Sequence, residues 1–192
     1  FISGGSGIAG MSNLSRDYLS YIIQNLSQLD AIADIIIVDT GAGISDAVLE
    51  FLVASGEILL VTTPEPTSIT DSYSLLKALY RHPRFDENTT KVKMVANRVA
   101  KESEGEILFN KLNAVVARYL KIPMTYLGSV PEDVQLARAV MQQMPVSIQN
   151  PGAKSTAAYE KIVQKLMGKE EEERQPRRGM AAFFSHILER RN

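Results

Sequence analysis

Residues 34–43 read DIIIVDTGAG: four β-branched residues, Ile35 to Val38, entered by Asp34 and closed by Asp39, with Thr40, Gly41, Ala42 and Gly43 behind them. An aliphatic run without polar alternation predicts a strand buried on both faces of a parallel sheet. In such sheets ligands sit beyond the C-terminal strand ends, so the residues after the run are candidates for chemistry. A carboxylate there can hold Mg²⁺ through water or orient a nucleophile, and glycines let backbone N–H groups approach a terminal phosphate. The same residues also read as a plain strand-to-helix turn with an N-capping acid.

Working outward, the pattern repeats. Upstream, Leu14, Tyr18, Leu19, Ile22, Ile23, Leu26 and Leu29 recur at helical spacing. Downstream, a helix from about Ser45 to Ala54 leads to the strand EILLVTT. A helix from about Thr67 to Tyr80 leads to KVKMVAN, and one from about Glu104 to Leu120 leads to MTYLGSV. A shorter helix beginning near Pro131 follows, then STAAYEKIVQKLM as a last helix. Strands separated by helices of this length predict an α/β fold, a mostly parallel sheet with helices on both faces. Three further strand ends carry polar residues: Thr62 to Thr67, Asn97 with Arg98, and Pro131, Glu132 and Asp133. An Asn at a strand end can read a nucleobase edge through its paired donor and acceptor, or simply cap a turn.

Composition narrows the classes. Lys and Arg number 21 against 22 Asp and Glu, a net charge of −1 over 192 residues, so nothing global steers the chain toward nucleic acid. Without cysteine there is no disulfide framework and no thiolate metal site, and His82 and His186 stand far apart. No run approaches the roughly 18 apolar residues that span a bilayer, and no signal peptide leads the chain. The expectation is a cytoplasmic protein.

The order DIIIVDTGAGIS, VTTPEPTSITDSYSLLK, ANRV and VPEDVQLARAV, with GGSGI upstream, resembles consecutive motifs of the MinD/ParA branch of P-loop ATPases. The wording DTGAGIS with TTPEPTSITDSY most resembles its flagellar-number regulators of the FlhG type. The resemblance covers residues 1–167. It implies a P-loop NTPase fold, ATP and Mg²⁺ as ligands, and Asp39 as the catalytic acid that supports Mg²⁺ indirectly or the attacking water. Thr40, Gly41 and Gly43 would lie near the phosphates. Asn97, Arg98, Pro131, Glu132 and Asp133 would surround the adenine, and Glu65 and Thr67 would belong to the region of an ATP-dependent homodimer interface. By the same resemblance the partners are an FlhF-like GTPase, flagellar switch-complex proteins and the inner face of the cell membrane, bound peripherally. Division-site or plasmid positioning is the alternative task within the family, and a nucleotide-free interaction module the alternative outside it.

One feature departs from that family. Its members carry a lysine-bearing phosphate loop of the type KGGxGKT, whereas FISGGSGIAG at the start of this chain has four glycines and no lysine, and GK[ST] occurs nowhere. With Phe1 rather than Met in front, the expectation is a chain that begins inside the fold, its phosphate loop and central strand encoded upstream, and that turns over no ATP alone.

The last stretch differs in kind. Residues 168–179, GKEEEERQPRRG, are charged and apolar-poor, as in a solvated linker. In residues 180–192, Met180, Phe183, Phe184, Ile187 and Leu188 share one helical face, flanked by Arg174, Arg177, Arg178, Arg190 and Arg191. Such an amphipathic helix suits an anionic membrane surface, and equally suits packing against the domain or a partner. The family resemblance favours the membrane.

Overall fold

The computed structural model describes residues 32–168. The glycine-rich start, the helix expected over residues 14–29, the charged linker beyond Gly168 and the amphipathic segment 180–192 lie outside them.

The first described helix, α1, spans Asp46–Ala54; Ser45 caps it, its Oγ accepting from the Val48 N–H at 3.4 Å. Strand β1 (Glu57–Thr62) follows, then α2 (Pro66–Tyr80), β2 (Lys91–Val99), α3 (Glu102–Tyr119) and β3 (Met124–Pro131). Pro66 opens α2, where its missing N–H costs nothing because a first-turn donor has no intrahelical acceptor. Lys121, in the left-handed region at φ 54°, turns the chain out of α3 while its N–H donates to the Val116 carbonyl at 3.0 Å.

The three strands form one sheet in the order β1-β2-β3, with β1 parallel to β2 and Leu60 beside Met94 in register. The alternation of β1 sends Ile58, Leu60 and Thr62 inward, and Val92, Met94 and Ala96 of β2 join the same side. Leu76 and Leu79 of α2 and Leu108, Leu112 and Val116 of α3 close over them. At about 25 cal/mol per Å² of apolar surface removed from water, this cluster is the main favourable term holding the layers together. Leu49, Leu52 and Val53 bring α1 against the same cluster. A buried carboxylate adds a second tie: Glu50 of α1 meets the Arg84 guanidinium and stands 3.6 Å from His82 Nε2, both on the connection from α2 to β2.

The chain divides into two compact units at Ser129 and Val130. Within the second, α4 (Val134–Met141), the single turn α5 (Val146–Gln149) and α6 (Lys154–Leu166) follow one another, with Ala139, Val146 and Ala153 clustered and Leu136 packed on them. The turn α5 has no counterpart in the sequence reading. The helix expected near Pro131 is present but starts three residues later, at Val134 behind an Asp133 cap, because Pro131 still belongs to β3.

The larger difference concerns residues 34–43. Ile35, Ile36, Ile37 and Val38 form no strand, and they are 39–84% exposed. A parallel strand is stable only with neighbours on its edges and cover on its faces, and among the described residues none pairs with this run. On β1, Leu59 and Val61 face away from the cluster and are about half exposed.

Gly105 marks the closest approach of α3 to the sheet. A Cβ there would stand 2.5 Å from the Tyr126 hydroxyl and 3.0 Å from the Ala96 Cβ, and closer still to the Ser129 Oγ. Those two hydroxyls bond each other at 2.5 Å, so neither yields freely. Gly105→Ala is expected to lower the unfolding free energy by about 1–3 kcal/mol, despite alanine's better helix propensity, as a lower urea midpoint.

Candidate functional site

The C-terminal ends of β1 and β2 lie side by side because the strands are parallel and in register, Thr62 opposite Ala96. Each end carries polar residues that the sequence reading singled out. At the end of β1, the buried Thr62 Oγ1 and Ser68 Oγ of α2 share a hydrogen bond of 3.0 Å, and the Thr63 N–H donates to the same Ser68 oxygen at 3.0 Å. Ser68 thereby clips the first turn of α2 to the strand. The Thr63 hydroxyl is buried with no hydrogen-bond partner, which makes it the one such side-chain atom among the described residues.

At the end of β2, Arg98 adopts φ 56°, a conformation that costs a non-glycine residue energy. The Asn97 Oδ1 accepts the Arg98 N–H at 3.0 Å and holds the turned backbone. Arg98 Nη1 then lies 3.6 Å from Glu65 Oε1, at the N-terminus of α2. So Asn97, Arg98 and Glu65, assigned by resemblance to the adenine and to the dimer region, meet at one strand-end cluster. Thr67 stands exposed in the first turn of α2. The Arg98 to Glu65 contact joins positions 33 residues apart, and no local pattern in the sequence announces it.

The segment from Asp39 to Gly43 reaches α1 without regular structure. Asp39 is exposed, and so are Gly41 and Gly43; a Cβ at either glycine would meet nothing within 4 Å. Gly43 takes φ 111°, which a side-chain-bearing residue rarely adopts, so its glycine is a conformational requirement. Thr40 is half-buried. These residues fit the metal and water side of a magnesium nucleotide: a hard carboxylate oxygen beside backbone that a phosphate can approach. They bring no lysine or arginine, so the charge that neutralises the phosphates has no source within residues 39–45. Among the described residues no group of three or more His, Asp or Glu stands close enough to hold a metal outright.

In the second unit, Pro131 and Glu132 lead from β3 to Asp133, whose carboxylate ties two helices together. Its Oδ1 accepts the Gln135 N–H of α4 at 2.8 Å; its Oδ2 accepts the Ser155 N–H at 3.0 Å and the Ser155 hydroxyl at 2.9 Å at the start of α6. The helix start is legible in the sequence as an acid before an apolar run, whereas Ser155, buried and 22 positions away, is not.

No protein-family model matches the chain. Individual relatives do. The antiactivator FleN of Pseudomonas aeruginosa is 38% identical over 161 residues, 84% of this chain and 56% of FleN. Over that span the two sequences are similar. The flagellum site-determining protein YlxH of Helicobacter pylori is 30% identical over 158 residues, 81% of this chain and 52% of YlxH. Among solved structures, the septum site-determining protein MinD of Pyrococcus horikoshii, complexed with Mg-ADP, aligns with TM-score 0.59 at 16% identity, covering 80% of this chain and 60% of that one. The structural likeness supports the P-loop NTPase fold. The chain spans about half the length of the curated relatives it matches.

Hydrogen bonds from the Ser155 and Gln135 N–H groups, helped by the Ser155 hydroxyl and the Lys154 charge, hold the Asp133 carboxyl below the usual carboxylate range against a smaller opposing effect of burial. A depressed folded-state pKa gives stability that is complete above the unfolded value of about 3.9 and is lost as pH falls through the folded value. Asp133→Asn keeps a capping side chain without the charge. It is expected to flatten the acid limb of the melting temperature against pH below about pH 4, and an unchanged limb would count against the tie.

Proposed function

We propose that this chain is the C-terminal part of the ATPase domain of a positioning switch, with flagellar number and placement as its task. The observation that carries the reading is the juxtaposition of Asn97, Arg98 and Glu65 at adjoining strand ends, in a chain whose relatives include FleN and YlxH. Asp39 would hold Mg²⁺ through water or orient the attacking water, and the backbone at Gly41 and Gly43 would face the terminal phosphate beside Thr40. Bound Mg-ATP supplies the phosphoryl group that water takes. Asn97 and Arg98 would lie at the adenine, while Glu65 and Thr67 would face a second subunit in an ATP-dependent homodimer. The phosphate loop, its lysines and a central strand would come from the part of the relatives' length that this chain does not span.

The membrane enters through residues 180–192, whose apolar stripe and flanking arginines suit an anionic bilayer surface at the inner face of the cell membrane. An FlhF-like GTPase and flagellar switch-complex proteins are the proposed partners. Division-site positioning is the second reading, favoured by the sequence likeness to septum site-determining MinD proteins; loss of the gene would then produce misplaced septa rather than an altered number of flagella.

Two measurements test this. The chain as it stands, incubated with Mg-ATP, is expected to release no phosphate above background, whereas a polypeptide extended to the relatives' length is expected to hydrolyse ATP. In the extended polypeptide Asp39→Ala should lower turnover by about 100-fold or more. Turnover by the short chain, or an unaffected Asp39→Ala variant, contradicts the assignment. Removal of residues 180–192 should separately abolish co-sedimentation with anionic liposomes, and undiminished sedimentation would rule the membrane role out.

A further inference from the structure

The outward side of α3 carries a pattern that the fold does not use. Ile107, Lys111, Val115 and Tyr119 follow at four-residue steps, and the three apolar ones are 53, 42 and 60% exposed. Exposed Ala114 and Arg118 lie along the same side, and the Arg118 guanidinium rests 5.2 Å from the centre of the Tyr119 ring. The adjoining row, Leu108, Leu112 and Val116, one residue further on at each step, is spent on the core. Charge along the helix is segregated: Glu102 and Glu104 occupy the first turn with Glu106 just behind, while Lys111 and Arg118 stand in the second half and Lys121 follows its end.

We propose that this side of α3 is a self-complementary contact that pairs antiparallel with α3 of a second copy of the chain, without nucleotide. A two-fold axis midway between Lys111 and Val115 sets Ile107 opposite Tyr119 of the second copy and lays the Lys111 stem along its Val115. It brings Arg118 and Lys121 toward Glu104 of the second copy at both ends. A parallel pairing would instead set acid against acid and base against base, with the helix dipoles aligned, so charge selects the antiparallel arrangement. Ala114 sits near the crossing point, where a small side chain lets two helix axes come within about 8–10 Å. A single helix of 18 residues, about 27 Å long, buries well under the roughly 800 Å² per partner of a stable complex. The contact is therefore weak and weakens further with salt. This contact lies on a different helix from Glu65 and Thr67, so it stands or falls independently of the proposed ATP-dependent dimer.

The absence of cysteine from the sequence makes the test direct. Ala114→Cys introduces one thiol beside the proposed axis, and Glu87→Cys places one on the exposed connection between α2 and β2 as a collision control. Under mild oxidation of the full chain without nucleotide, Ala114→Cys is expected to form a disulfide-linked dimer at least about tenfold faster than Glu87→Cys, the factor that corresponds to about 1.4 kcal/mol of association. Adding Arg118→Glu, a surface change checked for folding by circular dichroism, is expected to return linkage to the control rate. Linkage of Ala114→Cys no faster than the control overturns the proposal, and so does linkage that Arg118→Glu leaves unchanged.

Discussion

A strand in the middle of a parallel sheet must find partners for its backbone on both edges and cover for its side chains, and β2 is where this chain meets that demand. It lies between β1 and β3, and Val92, Met94 and Ala96 are sealed beneath α2 and α3. Everything functional hangs from this arrangement. Parallel register places the ends of β1 and β2 together, and the chain must leave both strands at the same edge to start α2 and α3. The polar residues at those exits are neighbours because the hydrophobic ones behind them are.

The same demand explains what happens to Ile35–Val38. These residues have the composition of an interior strand, yet among the described residues the run has no ladder partner to supply backbone bonds and cover, and it lies exposed before Asp39. Its connection to the rest of the first unit runs through α1, which is held by its apolar side and by the buried Glu50. Glu50, buried beside His82 and the exposed Arg84, holds the middle of α1 to the connection between α2 and β2, while the Ser45 cap sets where the helix begins.

Much of this was legible in the sequence. The apolar run in EILLVTT, the helix expected from about Thr67 to Tyr80 and the strand KVKMVAN each follow from one local rule, and these elements lie within two or three residues of expectation. The polar strand ends at Thr62, Asn97 and Asp133 were legible too, because strand ends are where an α/β sheet keeps its chemistry. Long-range partners were not. Glu65 with Arg98, Glu50 with Arg84, and Asp133 with Ser155 are set by how elements pack, which no short pattern encodes. The misjudged strand teaches the complementary point: composition specifies a preference for burial, but burial also needs a neighbour.

The central claim is that the run leading to Asp39 stands outside the sheet that the described residues form. Amide hydrogen exchange on the intact chain tests it most directly. The account predicts that the amides of Ile35, Ile36, Ile37 and Val38 exchange at the rate of unstructured peptide while those of Met94 and Val95 in β2 are protected by orders of magnitude. Protection of Ile35–Val38 equal to that of β2 would contradict it.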